Sequence, residues 1–417
     1  MNETSHVKPG KKSRLVLILL ILIYMCNNMD RHIIAILAEP IRADLKFSDT
    51  QLGMISGLIF AAFYTAFGVP VGWIADRFGR IRVIFTAATI WSICSAMGGL
   101  AGNFTQLAAA RVGVALGEAG GAAPSYSLLS SFYPPERRGN VLGIFHLGAP
   151  IGVLLASFIA SWVTIHFGWR AAIVAVSLPG AIFALILILT VREPAPERTD
   201  SEAPPFFEAL KRYMTQPLLV LAGVGAGFSS FMTGVTSAWV PAFLMRVRGM
   251  PLESLGSWYA IGNALAFGLG IWGGGILADR FANRGLRIYA LVPAIGVSVA
   301  IPFVLFASLV PSWHLSLIAW LVPIASVAMF LAPSVALVQN LAAPEQRAIS
   351  GGIFLLFTYL IGSGFGPLYV GVISDWLKPT VGDASLAYAM IACVPIMLLA
   401  VALQIILARM LGTGERR

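Results

Sequence analysis

Apolar stretches bounded by charge, glycine or proline recur along the whole chain, at about 14–38, 50–75, 81–101, 104–132, 138–165, 169–191, 217–245, 253–278, 286–309, 313–341, 347–374 and 385–411. A stretch of roughly 20 apolar residues, coiled as a helix, is long enough to cross the ~30 Å hydrocarbon layer of a bilayer. Helix is the state expected, because a segment in lipid must satisfy its own backbone hydrogen bonds. The pattern therefore predicts an all-α membrane protein with twelve transmembrane helices. One long polar break, 192–216, separates two sets of six. Its proline and glutamate content reads as a cytoplasmic linker, within which 206–213 can form a short helix on the membrane surface. The expected organisation is a first six-helix bundle over 1–191, the linker, and a second bundle over 217–417.

Composition supports this reading. The 417 residues are 58% apolar and only 11% charged, against roughly 25% charged residues in a soluble domain. Such a chain lacks the polar surface to face water all round. Cys26, Cys94 and Cys393 fall inside apolar stretches, where a thiol behaves as a small apolar group, so no disulfide framework is expected. The first apolar run lacks a small-residue cleavage site and continues into Asp30 and Arg31. It reads as an uncleaved first helix.

A net charge of +9 raises nucleic acid as a partner, but the basic residues sit at the chain ends and in alternate loops, with no aromatic-studded groove. Nucleic acid is excluded as a partner. With the N-terminus inside, 20 Lys and Arg fall in inner segments and 5 in outer ones. That bias predicts both termini in the cytoplasm, in a cell inner membrane.

The two halves repeat. Gly72-Trp-Ile-Ala-Asp76-Arg77-Phe returns as Gly275-Ile-Leu-Ala-Asp279-Arg280-Phe, 203 residues later. Pro135-Glu136-Arg-Arg138 followed by Gly143-Ile-Phe145 returns as Pro344-Glu345-Gln-Arg347 followed by Gly352-Ile-Phe354, 209 residues later. Same-sense repeats of six helices are the mark of two parallel bundles related by an axis along the membrane normal.

The segment GWIADRFGRIR, from Gly72 to Arg82, resembles the loop between helices two and three of the major facilitator superfamily, and the superfamily resemblance covers essentially the whole chain. Gly72 and Gly79 permit close helix approach and a tight turn. Asp76 can meet the positive N-terminus of a neighbouring helix. The resemblance implies that this neighbour is helix eleven and that the contact latches the cytoplasmic side. Arg77 and Arg80 would complete a cytoplasmic gate, with Asp279 and Arg280 as its second copy; Asn283-Arg284-Gly285 departs from the Gly-Arg ending, which predicts a weaker latch there. Gly143, Gly148, Pro150 and Gly152 in helix five, and Gly362, Gly364, Gly366 and Pro367 in helix eleven, allow close packing and bends.

Charge inside the spans is the sharper signal. Asp30, Arg31, Arg111 and Glu118 lie well within apolar stretches, where a lone charge is costly and faces a cavity or a partner. Arg111 and Glu118 are two helical turns apart and share a face. A structural cap or a carbonyl-bound arginine would also account for some of these residues. Burial raises the proton affinity of a carboxylate and an approaching arginine lowers it, so Glu118 and Asp30 are candidate proton carriers. Arg31 and Arg111 are candidates to hold an anionic substrate group. His32 and His146 also lie in spans; a proton relay is the alternative, but they read as packing histidines. The second half offers only uncharged groups such as Ser237, Asn263 and Tyr359, read as packing. A cavity charged on one wall and apolar on the other suits an amphiphile.

Asn28-Met-Asp30-Arg31 in helix one and Arg111-Val-Gly-Val-Ala-Leu-Gly117-Glu118-Ala119 in helix four are similar to the Spinster family, which includes lysosomal lysophospholipid and sphingosine-1-phosphate transporters. Ser125-Tyr126 and Ile144-Phe145 with Ala149-Pro150-Ile151-Gly152 extend the match. The resemblance implies roles for Asp30, Arg31, Arg111 and Glu118 in proton coupling and anionic head-group recognition. The expected function is proton-coupled secondary transport by alternating access of an anionic amphiphile such as a lysophospholipid or sphingoid phosphate. The alternative is a proton-antiport exporter of drugs or other small organic ions. A non-transporting sensor would need an added domain, for which tails of about 14 and 6 residues leave no room. No Walker loop, His-Glu-x-x-His pair or serine elbow is present, so no enzyme activity, metal or cofactor is expected. The proton gradient would be the driver, membrane lipid the surrounding partner and a monomer the working unit.

Overall fold

The computed structural model describes residues 11–193, 206–343 and 346–414, without the side chains of 69–77, 135–136, 206–207, 209, 348 and 413. The described residues contain helices and no strand. Nine helices among them are long and apolar enough to cross a membrane. Arg137–Thr190 and Ile349–Gly412 each hold two crossings, and 104–132 is a further, interrupted one, which brings the number to twelve. We label these α1 (Lys11–Ile36), α2 (49–78), α3 (Arg80–Gly98), α4 (104–132), α5 (135–167), α6 (169–190), α7 (Pro217–Arg246), α8 (252–280), α9 (Ile288–Leu309), α10 (313–341), α11 (347–381) and α12 (385–414). Their surfaces are lined with exposed large apolar side chains such as Ile18, Leu189, Trp272 and Phe306, as lipid-facing helices require.

Local sequence explains where helices begin and turn. Ser48 accepts from the Gln51 N–H while the Gln51 side chain accepts from the Ser48 N–H, a capping box that starts α2. Asn103 caps α4 by accepting from the Gln106 N–H. Gly168 takes φ +84°, a left-handed value that lets the chain reverse between α5 and α6.

Two departures from the continuous spans expected of the sequence bear on function. Helix α1 stops at Ile36, and a separate short helix, Ala38–Leu45, follows it. Helix α4 is broken: Phe104–Glu118 ends, Gly120 and Gly121 donate to the carbonyls of Gly117 and Glu118, and a new segment starts at Ala122. Two glycines in a row weaken the helix at this point. Helix α10 breaks in the same manner, between Ala328 and Leu331, with Met329 and Phe330 bonded three residues back. Widened turns interrupt α2 at Met54–Leu58, α8 at Leu255–Tyr259 and α11 at Thr358–Phe365.

Small residues set the packing. A Cβ on Gly152 would collide with the Met25 carbonyl, which brings α5 against α1. A Cβ on Gly362 would collide with the Ser230 hydroxyl, which brings α11 against α7. The halves meet where Gly57 of α2 faces the Gly364 carbonyl of α11. Loop ends divide into one end rich in Lys and Arg, holding the α2–α3, α4–α5, α8–α9 and α10–α11 connections, and an arginine-poor end opposite. The 192–216 linker lies mostly outside the described residues; within it, Phe206–Met214 is helical.

Candidate functional site

Asp30 and Arg31 are neighbours on α1 and so point about 100° apart. Asp30 turns into the first half. Its carboxylate is fully buried and accepts from the Ser95 hydroxyl of α3, with Ser177 of α6 bonded to Ser95 behind it at 2.8 Å. Its Oδ2 has no hydrogen-bond partner among the described residues. Arg31 turns toward the second half. It donates to Glu118 Oε2 through Nη2 at 2.6 Å and Nε at 3.0 Å, and through Nη1 to the Tyr359 hydroxyl of α11 at 3.0 Å. One guanidinium thus joins α1, α4 and α11 and so bridges the two halves.

Aromatic rings enclose it. The Arg31 guanidinium carbon lies 5.0 Å from the ring centres of Phe60 and Tyr64 and 5.8 Å from that of Tyr359, and Tyr64 packs against Tyr359. A cation held over ring faces and away from water gains about 2 kcal/mol. Glu118 is 2% exposed, and its Oε1 has no hydrogen-bond partner among the described residues. It is the last residue before the α4 break, so its position comes from two neighbouring features. Gly117 lets α4 press on α3, because a Cβ there would sit 2.6 Å from the Trp91 nitrogen. Gly120-Gly121 then ends the helix.

Arg111 shares the Phe60 ring with Arg31, its guanidinium carbon again 5.0 Å from the centre. It is 3% exposed, and its Nε makes no hydrogen bond with any described residue. It lines a small cavity with Ser95, Gly98 and Leu107 and lies within electrostatic reach of Asp30. The structure therefore brings all four expected charges into one region, but it pairs Glu118 with Arg31 of another helix and not with Arg111, its neighbour along α4. His32 faces the other side of α1, with Nδ1 3.3 Å from the Ser237 hydroxyl, in a cavity that also takes in Ser157, Tyr259 and Asn263. His146 packs edge-on to Tyr24 and Phe145.

At the arginine-rich end, Gly72, Asp76 and Arg77 lie outside the residues whose side chains are described. Gly79 takes φ +93° and starts α3. Arg80 donates to Glu193 Oε1 at 2.7 Å, to Ser131 Oγ at 2.6 Å and to the Ser127 carbonyl at 3.0 Å. Two of these partners lie on α4 and Glu193 lies just past the end of α6, so Arg80 braces α3, α4 and the start of the linker together. Burial alone would raise the Glu193 carboxyl, but the Arg80 side chain and the N–H groups of Arg80 and Ile81 hold it below its ordinary value. Asp279 and Arg280 are exposed and form no ion pair with any described residue.

Two groups escaped the sequence reading. Tyr359 reads from the sequence only as a packing group in an apolar span, and its position opposite Arg31 gives it meaning. Arg246, one of the few basic residues at the arginine-poor end, is buried between two carboxylates, Glu39 and Asp49. An arginine set among acids at the ends of neighbouring spans was the available signal, though it does not by itself name partners about 200 residues apart.

The profile described as Major Facilitator Superfamily matches residues 20–367. The chain belongs to that superfamily. It is 32% identical over 91% of its length, and 88% of the relative's, to an MFS-type efflux pump of Mycolicibacterium smegmatis. It is 27% identical to protein spinster homolog 1 of Xenopus laevis over 94% of this chain and 80% of that one. Its structure superposes with a TM-score of 0.88, at 28% identity, on a bacterial homologue of the human lysosomal transporter Spinster in an inward-facing, unoccupied conformation, covering 97% of this chain and 99% of that one. The Spinster resemblance read from helices one and four thus extends over nearly the whole molecule. This major facilitator protein is an integral multi-pass membrane transporter and not an enzyme.

Proposed function

We propose that this chain is a proton-coupled secondary transporter working by alternating access, with an anionic amphiphile as its cargo. The observation that carries the reading is the Arg31 guanidinium, shared between Glu118 of one half and Tyr359 of the other. Protonation of Glu118 removes the charge that holds Arg31 and frees the guanidinium for an anionic head group. Loss of that proton restores the ion pair and expels the head group. Because Arg31 also bonds across the halves, its choice of partner is tied to their relative position. Phe60, Tyr64 and Tyr359 around it suit the apolar part of the cargo next to its charge. The positive bias of the arginine-rich end supports a cytoplasmic placement of that end, and with it both termini.

A second reading, export of drugs or other organic ions by proton antiport, draws support from the efflux pump at 32% identity. Purified protein in proteoliposomes separates the two. A lysolipid or a sphingoid phosphate, and not a cationic drug, should be carried when a pH gradient is imposed. Glu118→Gln should abolish the gradient-driven part, at least roughly tenfold, while exchange without a gradient persists. Unchanged coupling in Glu118→Gln would remove the proton role, and preference for the cation would favour the exporter.

A further inference from the structure

We propose that Arg246, Glu39, Asp49 and Asp375 form the gate that closes the arginine-poor end, and that Asp375 acts there as the reciprocal of Asp76 at the other end. This rests on the alternating-access reading above.

Arg246, at the last turn of α7, has only 6% of its side chain exposed. It grips two acids of the opposite half. Nη2 and Nε donate to Glu39 Oε1 at 2.6 and 2.9 Å, and Nη1 and Nη2 donate to Asp49 Oδ2 and Oδ1 at 2.7 and 2.8 Å. The second contact is a two-pronged arginine–carboxylate pair, the geometry that makes such pairs strong. The Asp49 side chain is fully buried, and its Oδ2 also accepts from Ser374 of α11 at 2.7 Å.

Asp375, the next residue on α11, completes the closure. Its Oδ1 accepts from the Asp49 N–H at 3.0 Å and its Oδ2 from the Thr50 N–H at 2.8 Å. Those are the first two amides of α2, which otherwise have no partner within the helix. A carboxylate there also meets the positive end of the helix dipole. Backbones touch as well: a Cβ on Gly371 would collide with the Asp49 carbonyl, and one on Gly53 with that of Pro367.

The arrangement has a counterpart in the motif at the other end. Asp375 lies near the C-terminal end of α11 and holds the N-terminus of α2. Asp76 lies near the C-terminal end of α2, and the superfamily resemblance has it hold the N-terminus of α11. The same two helices therefore carry an acid for each other at opposite ends. At 1.5 Å per residue α2 is about 45 Å long and α11 about 52 Å, and each packs as a rigid element, so rocking that closes one end pries open the other. The structure has the arginine-poor end locked. In the opposite state Arg246 must leave both carboxylates and Asp375 must release α2.

Accessibility of a single cysteine tests this. Asn263→Cys, about midway along α8 in the cavity between the halves, is placed in a chain whose Cys26, Cys94 and Cys393 are replaced by alanine. A membrane-impermeant thiol reagent is then applied to the arginine-poor side of sealed vesicles. Asp375→Asn and Arg246→Gln should each raise labelling roughly tenfold; Arg246→Lys, which keeps the charge and loses the fork, should fall between and serves if the glutamine variant does not fold. Asp76→Asn should lower labelling from that side. If Asp76→Asn lowers it while Asp375→Asn and the Arg246 variants leave it unchanged in protein of normal melting temperature, the gate proposal is overturned and alternating access stands. If none of the variants shifts labelling, alternating access fails and the gate with it.

Discussion

Helices α4 and α10 break after 15 and 16 residues, with the same tightened bonds across the break. One ends its first segment in Glu118 and the other in Ala328. The two halves also share the widened turns in α2 and α8, yet Asp30, Arg31, Arg111 and Glu118 all belong to the first. The repeat therefore preserved backbone geometry and abandoned chemical symmetry. A buried ion pair costs several kcal/mol of desolvation and returns it only with good geometry. Under the transport mechanism proposed above, one half would bind and release charge and the other would close over it. What the second half contributes to Arg31 is a hydroxyl and a ring from Tyr359.

That asymmetry can be broken at matched positions. Asp30 and Thr233 are 203 residues apart, the spacing of the repeated loop motif, and each has a buried oxygen without a partner among the described residues. Asp30→Ala removes the carboxylate within electrostatic reach of Arg111 and the acceptor of the Ser95 hydroxyl, and should cost about 3 kcal/mol. Thr233→Ala should cost less than about 1 kcal/mol, since it removes a hydroxyl without a hydrogen-bond partner among the described residues. Comparable melting losses in detergent would mean that the first half's charges are no more structural than the second half's hydroxyls.

Tyr359→Phe keeps the ring and removes the hydroxyl that Arg31 reaches across the halves. Loss of one hydrogen bond to a charged group, about 1.5–3 kcal/mol, should slow gradient-driven uptake roughly tenfold or more while leaving in place the proton dependence proposed for Glu118. Uptake at the wild-type rate would reduce Tyr359 to packing and leave Arg31 wholly a first-half residue.

The smallest effect should come from Glu193, the brace of the first half at the arginine-rich end. Its carboxyl is held below the ordinary value by Arg80 and two N–H groups, so it adds stability above the unfolded carboxyl's pKa and loses it as pH falls through the folded one. Glu193→Gln should therefore melt slightly below wild type near neutral pH, and the gap should narrow as the buffer is taken toward about pH 4. A gap that widens on acidification would contradict the ion pair.

Much of the architecture was legible in residue order. Spans of lipid-crossing length, the alternation of basic loops and the repeated Gly-x-x-x-Asp-Arg segments are all local or periodic signals. The breaks in α4 and α10 were less so: Gly120-Gly121 offers a cue in one, but Met329-Phe330 offers none in the other. Of the candidate site, the identity of the four buried charges was visible because charge in an apolar stretch is conspicuous. Their pairing was not. Arg111 and Glu118 share a helix face, yet Glu118 bonds to Arg31, 87 residues away.

The chain by itself determined that it crosses the bilayer twelve times as two like halves and that the first half bears the buried charge, because hydrophobic length and the cost of charge in lipid act on each segment separately. Tertiary structure alone decided that Arg31 would choose Glu118 and Tyr359, that Arg246 would clasp Glu39 and Asp49, and that Asp375 would cap α2. Those contacts depend on how rigid helices rotate and approach one another, and glycine-lined packing sets that to within an ångström.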